Sequence, residues 1–185
     1  MEPTSHLTET ELEAGLPLIL KSPKARGTLE LIVRRPRADE RETLAEAQLD
    51  LRSGLAGDNW IHRRSSRTED GSPHPDTQLT LMSVRVVALL ARTKDRWPLA
   101  GDQLYVDLDL SASNLPPGTR LKVGSAVVEI TAQPHTGCSK FTARFGLDAP
   151  RFVNGPARKE LRMRGVYAKV IEAGTIRPGD AVIKL

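Results

Sequence analysis

The chain has one cysteine, Cys138, in the run Gln133-Pro134-His135-Thr136-Gly137-Cys138-Ser139-Lys140-Phe141. The residues that follow predict a short helix from Ser139 to Phe145. That helix would set the sulfur near its N-terminus, with Lys140 and Arg144 in the next turns and His135 just before. A positive helix end and neighbouring cations favour thiolate over thiol. A thiolate attacks sulfur or carbon centres, carries a persulfide, or binds a soft metal. A lone cysteine is also often a small buried hydrophobe, and the local sequence leaves both roles open. His135 could orient or deprotonate Cys138, or serve as a turn residue hydrogen-bonded to the backbone.

Other chemistries fit less well. A closed zinc site needs about four ligands, and one Cys with four scattered His residues supplies no such set. There is no second Cys for a Cys-x-x-Cys pair, and His62, His74 and Asp76 have no spacing that supports a papain-like triad. The chain contains no G-x-S-x-G elbow, Walker loop or dinucleotide glycine fingerprint.

The elements that must position these groups read as mainly β. Thr28 to Val33 is a β-rich run stopped by Pro36. Residues 38 to 47 are helix-forming but short. Arg63 to Asp76 has almost nothing apolar and predicts a long surface loop, a length that often goes with function. Gln78 to Met82 predicts a strand, and Val84 to Ala91 a short buried helix with Ser83 as N-cap. That strand-to-helix junction offers the free N–H groups and dipole end that hold phosphate, or is simply a cap. Two alternating runs flank Gly124-Ser125 and predict a hairpin over residues 119 to 131. Val166 to Ile171 and Ala181 to Ile183 give two more strands, with a tight turn at Pro178-Gly179-Asp180. Phe141 and Phe145, four apart, predict a core-facing helical pair. Asp58, Asn114 and Asp180 read as turn residues with local backbone bonds. Many short strands with Gly and Pro punctuation argue for a barrel or sandwich. Residues 1–26, with a short helix around Thr8 to Ala14, read as an N-terminal extension, and 27–185 as one domain.

At 185 residues the chain can enclose a core without disulfides. Its N-terminus lacks the pattern of a secretory signal, and no apolar run reaches the roughly 20 residues of a membrane span. The expected location is therefore a reducing cytoplasm, with no membrane partner. The net charge of +4 permits an anionic ligand, but aromatic residues are only 4% of the chain. Stacking platforms for nucleic acid are correspondingly scarce, and no nucleic-acid partner is expected. Arg151, Arg158, Lys159, Arg162 and Arg164 form a basic cluster that reads first as a solvated face.

Several segments occur together in a suggestive order. They are Gly54-Leu55-Ala56-Gly57-Asp58, Gly101-Asp102-Gln103-Leu104 through Leu110, the hairpin, the cysteine segment, Arg162-Met163-Arg164-Gly165-Val166-Tyr167, and Gly174 through Asp180. Over residues 27 to 185 the chain resembles a stand-alone bacterial-type MOSC domain, the module named for the C-terminal part of molybdenum-cofactor sulfurases. The resemblance implies a mainly β fold with short helices, a β-barrel similar to the barrel domain of pyruvate kinase. It implies a functional role for Cys138, as persulfide carrier supplied by a separate cysteine desulfurase, or as a ligand to molybdenum in a bound molybdopterin. The first role is sulfur transfer to metal–sulfur centres. The second is reduction of N-hydroxylated compounds with electrons from a reductase partner. No pyridoxal-phosphate site is evident in this chain.

A pterin dithiolene carries a phosphate, so its pocket needs hydroxyls, N–H groups and cations near the thiolate. On the resemblance, Ser83, Arg85, Gln103 and Arg162 are the candidates to bind this cofactor. Ser83 falls near a position where molybdenum-binding relatives use Ser or Thr. Gln103 replaces the usual Asn of a Gly-x-Asn element, and Gly101 stands where the best-known relatives have Arg. Two further readings remain: an anionic-ligand carrier without turnover, and a thiol redox sensor.

Overall fold

The computed structural model describes residues 6–136 and 139–185. Helix α1, Glu9–Ile19, starts at a capping box in which Thr8 Oγ1 accepts the Glu11 N–H and the Glu11 carboxylate accepts the Thr8 N–H. The strands that follow are β1 (Arg26–Arg34), β2 (Glu42–Leu44), β3 (Ala47–Asp50), β4 (Gly54–Leu55) and β5 (Leu79–Ser83). Next come α2 (Val84–Ala91), β6 (Leu104–Asp107), β7 (Arg120–Val123) and β8 (Ala126–Ile130). The chain ends with α3 (Ser139–Phe145), α4 (Asp148–Asn154), β9 (Val166–Glu172), β10 (Gly174–Ile176) and β11 (Ala181–Lys184).

Seven strands run in the order β11-β7-β8-β9-β5-β6-β1, and the pairing of β1 with β11 closes them into a barrel. Closure removes the unpaired edges that an open sheet would expose. Within the barrel β5 and β6 pair in parallel, which requires a crossover, here α2 and the 3-10 segment Lys94–Ala100. Alternation sends Leu79 and Leu81 of β5, Leu104 and Val106 of β6, and Val166 and Ala168 of β9 inward. Met82 and Tyr105 point the other way and pack with Leu12 of α1, Phe141 and Phe145 of α3 and Phe152 of α4. Both faces of these strands are therefore covered, and β5 reads as five buried residues in a row. Leu29 and Ile32 of β1 both point into the barrel although they are three apart. A register shift between Leu29 and Leu31 against β6 supplies the extra residue, a β-bulge.

The expected strands, the Gly124-Ser125 hairpin, the helix at Val84–Ala91 and the helix at Ser139–Phe145 are present, and the fold is the mainly β barrel that the resemblance implies. The Phe141 and Phe145 rings are buried with centroids 4.9 Å apart. Residues 38–47 are a correction, because they form no helix. β2 pairs with β1 through Ile32 with Leu44, and β3 pairs with β10 through Ala47 with Ile176. Sheet pairing and the burial of Ala47 and Leu49 outweigh the helix propensity of an Ala- and Glu-rich stretch. Helix α1 also runs past Ala14. At Gly15 a Cβ would lie 2.5 Å from Leu89 Cδ2, so the glycine permits close packing on α2 rather than ending the helix. No helix among the described residues is long and apolar enough to cross a membrane.

Candidate functional site

A cavity of about 560 Å³ opens where several strand ends and loops converge. Arg35, just past β1, and Gly101, just before β6, form part of its wall; Thr80 of β5 and Tyr167 of β9 face it from the barrel. His135 and Thr136, after β8, and Lys140 and Arg144 of α3 close another side. The polar loop after residue 62 adds Arg63, Arg64 and Arg67. With Arg41 and Arg164, eight cationic side chains among the described residues line the cavity, against one carboxylate, Asp39.

Arg35 is paired with Asp58, Arg164 with Asp102, and Lys140 and Arg144 with Asp39, while neutral acceptors also hold several of the cations. Arg63 Nε donates to Asn59 Oδ1 at 2.7 Å, Arg67 Nη1 to Gln133 Oε1 at 3.0 Å, and Arg144 Nη1 to the Leu99 carbonyl at 2.9 Å. Arg41 Nη1 donates to the Glu40 carbonyl, and its Nε is buried without a partner among the described residues. Burial, followed by repulsion from Arg144 and Arg35, pushes the Arg41 guanidinium below its ordinary value. Burial and then Arg35 do the same at Arg63. Such unneutralised guanidinium groups at one concave surface favour an anionic ligand.

The cavity floor carries two buried ion pairs. Arg35 Nε and Nη2 donate to Asp58 Oδ2 and Oδ1, each at 2.9 Å, while Arg35 Nη1 donates to the Gly101 carbonyl at 3.0 Å. Arg164 Nη1 donates to Asp102 Oδ2 at 2.7 Å and Nη2 to the Ala100 carbonyl at 3.1 Å. Beside this pair lies His135, its Nδ1 3.7 Å from Asp102 Oδ1. Burial pushes the Asp102 carboxyl up while Arg164 pulls it down. Burial, reinforced by Arg164 and Arg35, holds the His135 imidazole well below the usual histidine range, so the ring is neutral at physiological pH. Tyr167 packs on it with ring centroids 4.5 Å apart.

Of the candidate catalytic and cofactor-binding residues, His135 is the one among the described residues that lines this cavity, together with Lys140 and Arg144, the cations noted beside the cysteine. Cys138 lies outside the described residues, but Thr136 and Lys140, two positions to either side, are both in the wall. Gln103 is one layer behind: its Oε1 accepts from Thr80 N at 2.8 Å and from Thr80 Oγ1 at 3.1 Å, which fixes a residue that does face the cavity. Arg85 is elsewhere, chelating Asp107 from Nε at 2.7 Å and Nη2 at 3.2 Å and donating to the Leu18 carbonyl. Ser83 precedes α2 but makes no side-chain capping bond; its buried Oγ, without a partner among the described residues, borders a separate cleft of about 240 Å³ that also contains Arg162. Arg162 lines in addition a third cleft of about 380 Å³, which shares His135, Thr136 and Arg164 with the basic cavity.

The basic cluster at 151–164 divides: Arg151 pairs with Asp148 and Arg158 with Glu13, whereas Lys159, Arg162 and Arg164 line the cleft of about 380 Å³, and Arg164 also reaches the basic cavity. Asp58 is also more than a turn residue, because it accepts the local Trp60 N–H and is clamped by Arg35. Sequence reasoning passed over Arg35, Arg41, Asp102 and the loop arginines as site residues. The signal available for the last of these was three arginines within Arg63 to Arg67, inside a loop too long to be only a connector.

Residues 72–183 match the family model described as MOSC domain. Comparison with curated proteins returned no significant match. Among solved structures, the YuaD protein from Bacillus subtilis superposes with a TM-score of 0.62 at 18% identity, over 85% of this chain and 94% of that one. YiiM from Escherichia coli superposes with a TM-score of 0.53 at 19% identity, over 85% of this chain and 69% of that one. At these identities the two structures speak to the fold alone. The family match covers more than half of the 185 residues and takes in β5 through β11 of the barrel; the chain belongs to the MOSC domain family.

Proposed function

We propose that this protein is a molybdenum-cofactor-associated domain that works through Cys138 and the basic cavity, either as a molybdenum-binding component of a reductase or as a persulfide sulfur carrier. The observation that carries the reading is the charge of the cavity wall, eight cations against one carboxylate among the described residues, in a wall that includes Thr136 and Lys140 on either side of Cys138 in sequence. At about 560 Å³ the space falls in the range of ordinary ligand sites, roughly 300–1,000 Å³.

A phosphate-bearing pterin suits this donor set. Arg41, Arg63 and Arg144 would hold its anionic tail, and Thr80 and Thr136 add hydroxyls to the same wall. Among the described residues no three His, Cys, Asp or Glu side chains gather into a ligand set, so a metal here would arrive with most of its own ligands, as a dithiolene-bound metal does. When bound, the cofactor supplies two-electron redox chemistry at molybdenum. The chain's own residues would bind and orient the phosphate, set the rings of Tyr167 and Trp60 in the cavity wall, and place a neutral imidazole, His135, within it. Electrons would come from a separate reductase in the first role, and sulfur from a cysteine desulfurase in the second.

Molybdenum and pterin content of protein made in a cofactor-synthesising host, wild type beside Cys138→Ser, tests the proposal. Near-stoichiometric metal lost in the variant identifies Cys138 as ligand. Metal in neither protein, with a persulfide on wild-type Cys138, selects the sulfur carrier. Neither metal nor persulfide, with retained binding of phosphate-bearing ligands, leaves an anionic-ligand carrier and overturns the proposal.

A further inference from the structure

Asp102 Oδ1 and His135 Nδ1 face one another across 3.7 Å, and neither atom has a hydrogen-bond partner among the described residues. Both side chains are buried, with exposures of 0% and 7%. A buried polar atom without a partner costs about 1–3 kcal/mol. Here two such atoms are opposed at a separation that a shift of roughly 0.5 Å converts into a hydrogen bond.

We propose that Asp102 is a positioning residue for His135: a hydrogen bond from Nδ1–H to Oδ1 fixes the imidazole tautomer and leaves Nε2 as the basic nitrogen available to the cavity that the ring lines. The second oxygen of Asp102 is already committed to Arg164, whose guanidinium is in turn fixed by the Ala100 carbonyl and lies 4.8 Å over the Phe141 ring. Oδ1 is thus held in one orientation. A protonated Asp102 would leave the Arg164 guanidinium, which stays charged, buried without its counter-charge. Asp102 is therefore the anionic acceptor, and the shared proton belongs to nitrogen. A neutral imidazole carries one N–H, so committing Nδ1 as donor makes Nε2 the acceptor. The ring has little freedom to turn. Tyr167 packs on it, and a Cβ added at Gly165 would come within 3.2 Å of Nδ1.

In use, Nε2 accepts a hydrogen bond from a donor group of a ligand bound in the cavity. This use rests on the basic cavity being the working site proposed above; the tautomer itself does not.

The test is the imidazole tautomer in ¹⁵N-labelled full-length protein, read from long-range ¹H–¹⁵N correlations, with His135→Gln identifying the His135 signals among the four histidines. The expected result is a protonated Nδ1 and a bare Nε2 in wild type, lost in Asp102→Asn. Because Asp102→Asn strips Arg164 of its partner, the double variant Asp102→Asn/Arg164→Met is measured beside it as the better-folded control. An Nε2–H tautomer in wild type overturns the proposal, as does an unchanged His135 spectrum in a folded Asp102 variant. Absence of molybdenum and persulfide would defeat the functional proposal while leaving the tautomer result standing.

Discussion

Arg35 and Asp58, 23 residues apart, are joined by two parallel hydrogen bonds of 2.9 Å with side-chain exposures of 6% and 0%. The same carboxylate also accepts the backbone N–H groups of Arg35 and Trp60. This fork ties the end of β1 to the segment that begins the arginine loop, and so determines where one wall of the cavity stands. Removing one partner of a buried pair typically costs about 3–5 kcal/mol, because the other charge is left uncompensated. Asp58→Ala should lose about that much in urea unfolding, and Arg35→Met somewhat less, since Asp58 keeps its backbone donors. Arg35→Met/Asp58→Ala should be less destabilised than the sum of the singles by about 1–3 kcal/mol. Strict additivity would mean that the pair contributes no coupling.

The same pair shows where the sequence stops being informative. A carboxylate after glycine reads locally as a turn acceptor, and Asp58 does accept Trp60 N; its partner Arg35 is visible only once the chain is folded. Six of the seven barrel strands were legible because alternation and glycine turns are local patterns, as at Arg120–Ile130, whereas β6 was not read as a strand. β2 and β3 were not, because residues 42–50 become strands only by pairing with β1 and β10. Cys138 and His135 stood out by chemistry alone. The cavity's arginines come from segments as distant as Arg35, Arg63 and Arg164, and no spacing rule joins them.

Gly165 adopts φ +112, and a Cβ there would sit 2.4 Å from the Leu81 carbonyl oxygen. The neighbour is strand backbone in the barrel wall and cannot swing away. Gly165→Ala should therefore destabilise the protein by about 1–3 kcal/mol from backbone strain alone, with the clash added. It should also perturb the His135 ring, whose Nδ1 is the next nearest atom. A variant with wild-type stability would mean that β9 can shift away from β5 at little cost.

His135 also predicts a pH dependence. Its folded-state pKa is held well below the ordinary value, so between about pH 6.5 and that depressed value the unfolded chain binds a proton that the folded chain refuses. Stability supplied by the neutral ring is present in full above that window and declines as pH falls through it, at up to about 1.4 kcal/mol per pH unit. His135→Gln lacks this proton. Urea unfolding of both proteins at a series of pH values should show wild type losing ground to the variant below about pH 6.5. A constant difference would mean that the folded protein protonates His135 as readily as the unfolded chain does.

Lys140 and Arg144 share the one carboxylate of the cavity wall, Asp39, with Lys140 Nζ at 2.7 and 2.9 Å from its two oxygens and Arg144 Nη2 at 3.3 Å. The hydrogen bond and charge of Lys140 hold the Asp39 carboxyl below its usual range, so it stays ionised and competes with any incoming anion for the same two cations. Opposite substitutions should then move anion affinity in opposite directions. Arg144→Ala removes a charged donor, a contact typically worth about 1.5–3 kcal/mol, and should weaken pyrophosphate binding roughly tenfold or more. Asp39→Ala frees Lys140 and Arg144 and should tighten it. Both changes should shrink as salt is raised, because the mouth of the cavity is open to solvent and its charges are screened. Calorimetric titration with pyrophosphate at low and high salt measures all three effects. If Asp39→Ala weakened binding alongside Arg144→Ala, the carboxylate would be a strut that holds the cations in place, and the anion would have to enter without displacing it.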